Sequence, residues 1–536
     1  MNENQNHIHL FGDAQENFYI LGKKDKSSFE EIYHQISMLC ARNQAMAKMV
    51  KISTEFSTQL IKKPEDEFYH HLKAYAEGLE RPVQDIIFSM LLPEIVASFN
   101  KWVPNLLSLI PGCSSLFIKD PNTKQVLHGR ILDYALSGPF EKHERSILYE
   151  FAGRPKVFSY STTGMPTPSL TAMNEHGLSL ALHYKHGQYF NLEGDSIFKI
   201  SNKVINECHD IREAIKLIKS QESISYWGIY LCDKQGAVAS IDIKGPEIYQ
   251  EKFDLNDHEY LYFNNRPLLK QADQANISPF GNAQQCQMRR NSLDVSMKNY
   301  NQSAHKDPLN KLVKTLGRPQ ARKMKSAQKW NLTPTNPGSI QLCAFDLTNS
   351  RSLSIPGMAP KFYQGHVDEY LDIFSHIKFK EIRPKSESNS AYLKGQRQLS
   401  QYQSAMDLNH PEQAYHYIQM AICHFEGHPE KYIAKFFYTI TQYLYESDKR
   451  DYTYLYEDFC ALQGKLPEYL EDHLQLFLLR TGKIIGHKSN NEVSKIQNKQ
   501  LQEYYLHEFK LNAIGIRALK LLIFPRIEIL DIIYSY

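Results

Sequence analysis

The sequence lacks the features that mark several common classes of protein. Its 62 basic and 59 acidic side chains nearly cancel, so its charge favours neither nucleic-acid binding nor an acidic substrate. Its 8 cysteines are scattered over 536 residues without a CxxC or CxxH pair, which argues against a disulfide framework and a structural zinc site. The histidines form no HExxH pattern. We therefore predict no metal and no cofactor.

Long hydrophobic runs are also missing. The first residues, MNENQNHIHLFGDAQENFYILGKK, lack the apolar core of a secretory signal, and no stretch reaches the roughly 18 apolar residues of a spanning helix. We expect a cytoplasmic protein, or one exported without a cleaved N-terminal signal. The apolar stretch 510–536 is interrupted by charges and is expected to pack against neighbouring helices. Peripheral contact with a membrane or with a partner protein is the alternative.

Helical periodicity dominates the residues that precede about position 100. A short strand is predicted at 16–22, and apolar residues recur at helical spacing from Ser27 onward. Pro93 is expected to break the last of these stretches into two helices, because proline removes a backbone donor and clashes with the preceding turn. This part of the chain is therefore predicted to be a mostly helical segment.

Strands dominate from Cys113 to about Gln364. Short β-rich runs such as CSSLFIK, GLSLALHY and SIQLCAFD are separated by polar turns. Helical stretches at 196–221 and 283–316 lie between groups of strands. Grouped strands without a regular βαβ alternation predict an α+β fold.

The rest of the chain is predicted to be a polar linker followed by helices. Proline and glutamate open three helical stretches, at Pro411, Pro429 and Pro467, as expected from the preference of proline for the first helical position. The basic run 317–338 is predicted to be a surface loop. The predicted parts are a helical segment (1–112), a strand-rich domain (113–375), a linker (376–400) and an all-helical accessory domain (401–536).

The stretch PGCSSLFIKDPNTKQVLHGRILDY (111–134) holds the candidate chemistry. A cysteine that becomes a chain terminus combines a thiolate nucleophile with an α-amine that can carry the proton. Cleavage before Cys113 would create such a residue, and Gly112 permits the strained backbone that this step requires. We interpret Gly112–Cys113 as a self-cleavage junction. A buried, inert cysteine is the alternative.

Arg130 and Asp133 are the candidate partners of Cys113. The guanidinium can favour the thiolate or hold a developing oxyanion, and the carboxylate can hold the α-ammonium group. Residues three apart in a regular strand point to opposite faces. Both can therefore serve Cys113 only if the strand bends or bulges near Ile131–Leu132. A structural ion pair at a sheet edge is the alternative.

These motifs resemble the N-terminal-nucleophile (Ntn) cysteine amide hydrolases, the group that includes acid ceramidase, N-acylethanolamine acid amidase, bile-salt hydrolases and penicillin acyltransferase. The matching stretches are Cys113, GRILD (129–133), AMNEHGLSLALHY (172–184) and YLYFNNRP (260–267). The resemblance implies a four-layer αββα sandwich for 113–375. The segment before it would be a pro-segment or a small subunit.

The resemblance also implies roles for residues further along the chain. Asn264, with Asn265 in reserve, would line the oxyanion hole. Arg289, or its neighbour Arg290, would be a further active-site residue. His183 stands where bile-salt hydrolases have an asparagine, and it is a candidate pocket residue.

The implied activity is hydrolysis of a linear, non-peptide amide through an acyl-thioester on Cys113. The substrate would be a small N-acyl amide, with a fatty-acyl group as one candidate. An acyltransferase that passes the acyl group to an amine is the nearest alternative. A further alternative is a non-catalytic protein of this fold whose helical C-terminal domain binds a partner.

Overall fold

The computed structural model describes most of the chain as two compact units. The described residues are 7–41, 66–99, 112–134, 138–185, 189, 191, 193–267, 280–302, 307–317, 334–383, 391–445, 449–487, 493–497, 499–510, 523–525 and 532–534. The first unit comprises Met1–Ser278, Arg290–Arg318 and Thr333–Glu387, and the second comprises Pro279–Arg289, Pro319–Leu332 and Ser388–Tyr536. Most of the predicted loop 317–338 and of the apolar stretch 510–536 lies outside the described residues.

Seventeen strands and fifteen helices make up the described elements. The strands are β1 (His7–Gly12), β2 (Gly112–Lys119), β3 (Val126–Asp133), β4 (Glu144–Phe151), β5 (Val157–Thr162), β6 (Thr171–Asn174), β7 (Ser179–Tyr184), β8 (Tyr226–Cys232), β9 (Ala237–Lys244), β10 (Glu247–Asp254), β11 (Leu261–Phe263), β12 (Ser339–Asp346), β13 (Arg351–Ser354), β14 (Val367–Leu371), β15 (Lys378–Ile382), β16 (Ile523–Pro525) and β17 (Ile532–Tyr534). The helices are α1 (Ala14–Ala41), α2 (Glu67–Leu79), α3 (Val83–Phe99), α4 (Pro139–Lys142), α5 (Ile197–Glu207), α6 (Ile211–Ile218), α7 (Phe280–Gln302), α8 (Pro308–Gly317), α9 (Ile373–His376), α10 (Ala391–Asp407), α11 (Pro411–His424), α12 (Glu430–Tyr445), α13 (Lys449–Ala461), α14 (Glu468–Ile485) and α15 (Lys499–Phe509).

Two large sheets form the centre of the first unit. One has eight strands in the order β1-β4-β5-β6-β7-β8-β9-β10, and the other has seven in the order β11-β2-β3-β12-β13-β14-β15. The pair β1–β4 is parallel, whereas the hairpin β2–β3 and its neighbours are antiparallel. Two mostly antiparallel sheets together with helices confirm the predicted α+β class, because antiparallel strands need no helical crossover between them.

Alternating side chains decide what each face of the seven-stranded sheet contacts. Leu127 and Ile131 of β3 pack with Leu312 and Leu316 of α8. The opposite face shares a buried cluster with the eight-stranded sheet, in which Phe117 and Phe345 meet Phe158 and Tyr230. Since successive side chains of a strand point to opposite faces, His128 and Arg130 lie on the face toward the other sheet.

Gly129 of the GRILD stretch is explained by this packing. A Cβ atom placed on Gly129 would lie 2.5 Å from Cδ1 of Leu316 in α8. A side chain there would push the helix off the sheet. This glycine therefore serves close helix–sheet packing.

The segment before Cys113 belongs to the same compact unit. Strand β1 pairs in parallel with β4 at the edge of the eight-stranded sheet, and apolar residues of α1–α3 join the cluster that covers this sheet. Helices α1 and α2 approach closely where Gly22 and Gly78 face each other, since a Cβ on Gly78 would lie 2.0 Å from the Tyr19 carbonyl oxygen.

Two predictions for this segment are wrong. Residues 16–22 lie in α1 and not in a strand; Phe18 and Leu21, three positions apart, are both buried, as one face of a helix requires. Pro93 lies inside α3 and does not divide it. Neighbouring residues such as Leu91 and Leu92 are buried, and this packing offsets the lost backbone hydrogen bond.

Several boundaries further along also differ from the predictions. The predicted helix over 283–316 is two helices, α7 and α8, and Pro308 begins the second. The predicted linker 376–400 contains β15 and the start of α10. The side chains of β15 are exposed or half-buried, so its residues show the polar pattern of a linker.

The second unit contains the helices predicted for the C-terminal part. Pro411 begins α11, Pro429 directly precedes α12 and Pro467 caps α14. Phe436, Phe459 and Phe477 meet in its core. The chain is not helical to its end, because β16 and β17 form an antiparallel pair. Of the described helices, none is long and apolar enough to cross a membrane.

Candidate active site

The register of the β2–β3 hairpin places the candidate residues on two faces. Cys113 pairs with Leu132 and Ser115 with Arg130, whereas Gly112 pairs with Asp133. Directly opposed residues of an antiparallel pair share a face, so Cys113 and Arg130 are on the face toward the eight-stranded sheet and Asp133 is on the other. The expected bulge near Ile131–Leu132 is absent from this hairpin, whose register is unbroken.

An irregularity does occur beside this position, in the neighbouring strand. The register of β12 against β3 shifts between Ser339 and Gln341. The Ser339 hydroxyl donates a hydrogen bond to the Asp133 carboxylate. A Cβ atom on Gly112 would lie 2.9 Å from Oδ2 of Asp133. The Asp133 carboxylate is therefore packed against Gly112, the residue that precedes Cys113.

Cys113 lies directly beside a guanidinium group. Nη2 of Arg130 is 3.1 Å from Sγ of Cys113 and donates to the Leu182 carbonyl oxygen at 2.5 Å. Sγ is 3.5 Å from the same carbonyl oxygen. Cys113 is 1% exposed and Arg130 0%, so this contact is formed in a setting where water screens charge poorly.

The Arg130 guanidinium forms no ion pair with a carboxylate in the described part of the chain. Across the described residues, Arg130 forms no ion pair, and its Nε and Nη1 atoms have no hydrogen-bond partner. A buried charge without a counter-ion is costly, by several kcal/mol per ion. The thiol of Cys113 is therefore the acidic group placed to supply the missing negative charge.

Asn265, the reserve candidate, contacts the backbone of Cys113. Its Oδ1 accepts a hydrogen bond from the Cys113 backbone N–H at 2.8 Å, and its Nδ2 donates to the Tyr184 carbonyl oxygen at 2.9 Å. Oδ1 of Asn264 instead accepts from the Arg266 backbone N–H. Asn265 is thus in contact with the Cys113 backbone, and a role for Asn264 or Asn265 in an oxyanion hole stays a prediction.

A buried lysine missed by the sequence reasoning holds the loop that contains Asn265. Nζ of Lys185 donates to the carbonyl oxygens of Asn264 at 3.2 Å and Arg266 at 2.5 Å. It also lies 3.5 Å from Oδ1 of Asp242, and the Tyr226 hydroxyl donates to Oδ2 of the same carboxylate. The sequence does contain a signal for this ion pair. Lys185 and Asp242 are charged residues within the strand-like runs HYK and SIDIK, where buried charges are rare unless they are paired.

His183 lies in a polar chain between the sheets. Its Nε2 is 2.8 Å from Oγ of Ser115, and the same hydroxyl is 3.3 Å from Nε2 of His128. Burial, and then the neighbouring Arg130, hold the pKa of His128 well below its usual value. His128 is therefore neutral at physiological pH, and it adds no second positive charge beside Arg130.

A largely apolar pocket opens at Cys113. It encloses about 520 Å³, including its mouth. Its walls come from both sides of the Gly112–Cys113 junction: Met90 and Pro93 of α3 on one side, and Leu132, Phe140, Leu182 and Trp227 on the other. Apolar walls with few polar groups are typical of sites for small hydrophobic ligands.

The two predicted arginines of α7 have other described partners. Nη2 of Arg289 is 3.2 Å from Sγ of Cys286, within the second unit. Nη1 of Arg290 donates to the Tyr262 carbonyl oxygen at 3.2 Å, and its Nε is 3.6 Å from the Asp294 carboxylate. An active-site role for either arginine stays a prediction.

Comparison with known proteins gives weak but consistent likenesses. No protein-family model and no curated protein matches the sequence significantly. Among solved structures, the Caenorhabditis elegans ortholog of N-acylethanolamine-hydrolyzing acid amidase is 15% identical, with a TM-score of 0.32, and the match covers 51% of this chain and 100% of that one. Penicillin V acylase from Agrobacterium tumefaciens is 14% identical, with a TM-score of 0.31 and coverages of 51% and 98%.

A variant of the conjugated bile acid hydrolase from Clostridium perfringens is 11% identical, with a TM-score of 0.33 and coverages of 52% and 98%. TM-scores and identities this low establish neither the fold nor the reaction of this chain. The assignment of function therefore depends on the geometry around Cys113.

Proposed function

We propose that this protein is a self-processing cysteine Ntn hydrolase that cleaves a linear N-acyl amide. The observation that supports it most directly is the buried Arg130 guanidinium, 3.1 Å from Sγ of Cys113, a residue that lines an apolar pocket. Helices on one sheet, two sheets in contact, and helices on the second sheet fit the proposed four-layer αββα arrangement.

Self-cleavage would begin at the Gly112 carbonyl carbon. Sγ of Cys113 attacks it, and the peptide C–N bond breaks to leave a Gly112 thioester and a free Cys113 amine. Water then hydrolyses the thioester, which releases the Gly112 carboxylate and restores the thiol. Since Oδ1 of Asn265 already accepts from the Cys113 nitrogen at 2.8 Å, it is placed to hold the new α-amine.

Turnover would use the same atoms on an external amide. The Cys113 thiolate attacks the amide carbon, and Arg130 stabilises the negative charge that develops on the oxygen. The leaving amine takes a proton from the Cys113 α-ammonium group. Water then attacks the acyl-thioester and the carboxylic acid leaves. The apolar pocket favours an acyl group of hydrocarbon character.

We further propose that residues 1–112 stay bound after cleavage as a small subunit. Met90 and Pro93 line the pocket, and β1 belongs to the eight-stranded sheet. The Glu94 carboxylate accepts hydrogen bonds from the hydroxyls of Ser196 and Ser225 across the junction. Loss of this segment would open both the pocket and the core.

Intact-mass analysis of the wild type and Cys113→Ala tests the proposal. We expect the wild type to yield two fragments, 1–112 and 113–536, that co-elute on gel filtration, and Cys113→Ala to remain one chain. The wild type is also expected to release the carboxylic acid from an N-lauroyl anilide, and Cys113→Ala is not.

Cys232→Ala is the matched control, because Cys232 is buried and free in β8, away from the junction. It should cleave itself and turn over the anilide like the wild type. A wild type that stays intact and inactive, as Cys113→Ala does, would contradict the proposal and favour a non-catalytic role. Transfer of the lauroyl group to an added amine in preference to water would identify an acyltransferase.

A further inference from the structure

A second pocket of the first unit has a polar lining. It encloses about 610 Å³, including its mouth. Tyr160 and Ser146 of the eight-stranded sheet and Ser354, Asp368 and Tyr370 of the seven-stranded sheet lie along it. Hydroxyl groups, aromatic rings and carboxylates thus face one cavity, which is separate from the apolar pocket at Cys113.

The charged residues around this pocket do not balance. The positive ones are already paired elsewhere: Lys142 with Glu31 and Arg145 with Asp25. Nζ of Lys361 is 2.5 Å from Oε2 of Glu144. Two further carboxyl groups, those of Asp368 and Glu141, line the pocket without an ion-pair partner among the described residues.

Asp368 is the decisive side chain. It is 6% exposed, it lines the cavity, and in the described part of the chain it has neither a hydrogen-bond donor nor an ion-pair partner. Burial, and the nearby Glu381 and Glu144, raise the pKa of Asp368 to about 6, so it is largely ionised at neutral pH. Oε1 of Glu144 is also buried without a hydrogen bond.

A buried carboxylate that forms no ion pair, beside a second carboxylate, favours a cation. The nearby Lys361 and Arg383 lower the pKa of Asp368, but each forms its ion pair with a glutamate. Metal coordination needs several convergent ligands, and the described residues contain no group of three His, Cys, Asp or Glu side chains that could hold a metal ion. An organic ammonium ion needs one or two carboxylates, hydroxyl acceptors and an aromatic face. Tyr160 and Tyr370, whose ring centroids are 6.2 Å apart, supply the aromatic surface.

We propose that this pocket binds a small organic ammonium ion, with the Asp368 carboxylate as its counter-ion. Glu144 would share the charge through Oε1. The hydroxyl of Ser146, which also contacts Nδ1 of His7 at 2.8 Å, and that of Ser354 would accept the remaining N–H bonds. The proposal does not depend on the chemistry of Cys113.

Methylammonium chloride is the probe, measured by isothermal titration calorimetry and by thermal unfolding against sodium chloride of equal ionic strength. We expect it to bind the wild type and raise its Tm. In Asp368→Asn the Kd for methylammonium should rise at least tenfold. The Tm measured without methylammonium should stay equal or rise, because a buried carboxylate without an ion-pair partner has been removed. Asp372→Asn, an exposed carboxylate paired with Lys378, is the matched control and should respond like the wild type.

Met358→Lys gives a second test that leaves the carboxylates intact. Met358 lines the pocket and is 47% exposed, so a lysine there brings a tethered ammonium group to the site. This variant should lose the response to methylammonium. Equal binding by the wild type and Asp368→Asn, no binding by the wild type, or stabilisation by magnesium chloride in place of methylammonium would each overturn the proposal.

Discussion

Two arginines buried in the same unit differ in whether a carboxylate compensates their charge. Arg145 forms a two-pronged ion pair with Asp25, with Nη2 2.6 Å from Oδ2, and Tyr75 donates to the same carboxylate. Arg130 has only the Cys113 thiol and the Leu182 carbonyl oxygen as described partners. Both guanidinium groups are removed from water, but only one has received a permanent counter-ion.

The difference separates a structural charge from a candidate functional one. The Arg145–Asp25 pair joins α1 to β4, so it fastens the segment before Cys113 to the rest of the unit. Removing one partner of a buried ion pair destabilises the fold, and the paired charge is not available to a reacting group. An unpaired one raises the energy of the resting protein and is available to a negative charge that develops during a reaction.

Arg145→Met is expected to have the largest effect, and on stability. Removing one partner leaves the Asp25 carboxylate buried, which costs about 3–5 kcal/mol. Urea unfolding followed by circular dichroism should show a clearly lower free energy of unfolding. Arg212→Met, which removes an exposed ion pair with Asp210, is the control and should change little. If Arg145→Met were as stable as the wild type, the Arg145–Asp25 ion pair would not stabilise the fold, and the proposed difference between the two arginines would be wrong.

Arg130→Met is expected to affect chemistry and not stability. Self-cleavage and anilide turnover should fall by about 10²–10³-fold, the effect of losing one oxyanion donor. The Tm should stay level or rise, since a buried unpaired charge is lost. Arg130→Lys keeps the charge but loses the planar fork, and we expect partial activity. A Tm loss as large as that of Arg145→Met would assign Arg130 a structural role.

Glu94→Gln extends the comparison to a carboxylate held only by neutral donors. Burial raises the pKa of Glu94 to about 7, above its ordinary value of 4.5. The folded protein therefore keeps a proton that the unfolded chain releases, and stability falls as the pH rises from about 4.5 through 7.

Relative to Glu94→Gln, the wild type should lose on the order of 3 kcal/mol of stability between pH 5 and pH 8. Chemical denaturation at several pH values measures this difference. Glu193→Gln, at an exposed site, should follow the wild type. Parallel pH profiles for the wild type and Glu94→Gln would show that Glu94 is ionised in the folded protein.

Asn265→Ala against Asn264→Ala gives the smallest expected difference. Asn265 accepts from the Cys113 nitrogen, whereas the described side-chain bond of Asn264 is to its own loop. Losing a buried hydrogen bond costs about 1–3 kcal/mol, so the rate of self-cleavage should fall about tenfold to a hundredfold in Asn265→Ala and less in Asn264→Ala. The reverse order would restore Asn264 as the functional asparagine.

Predictions from local sequence patterns were correct where one or two neighbouring strands or turns decide the structure. The hairpin of Cys113 and Arg130 was predictable because alternation and a polar turn specify a strand pair locally. Residues 16–22 were misjudged as a strand, since a short apolar run fits both periods and only contact with α2 and the sheet settles it. The linker was misplaced for a similar reason, because β15 is an edge strand with few buried side chains.

The sequence by itself determined the nucleophile candidate, its glycine, and the arginine and aspartate of the returning strand, since all lie within one hairpin. The tertiary structure alone decided that Asn265 accepts a hydrogen bond from the Cys113 backbone, that Lys185 holds the loop of Asn264 and Arg266, and that α3 lines the pocket. These contacts join residues of different strands, helices and loops. Their geometry depends on how two sheets and their helices pack, and no local pattern of residues encodes it.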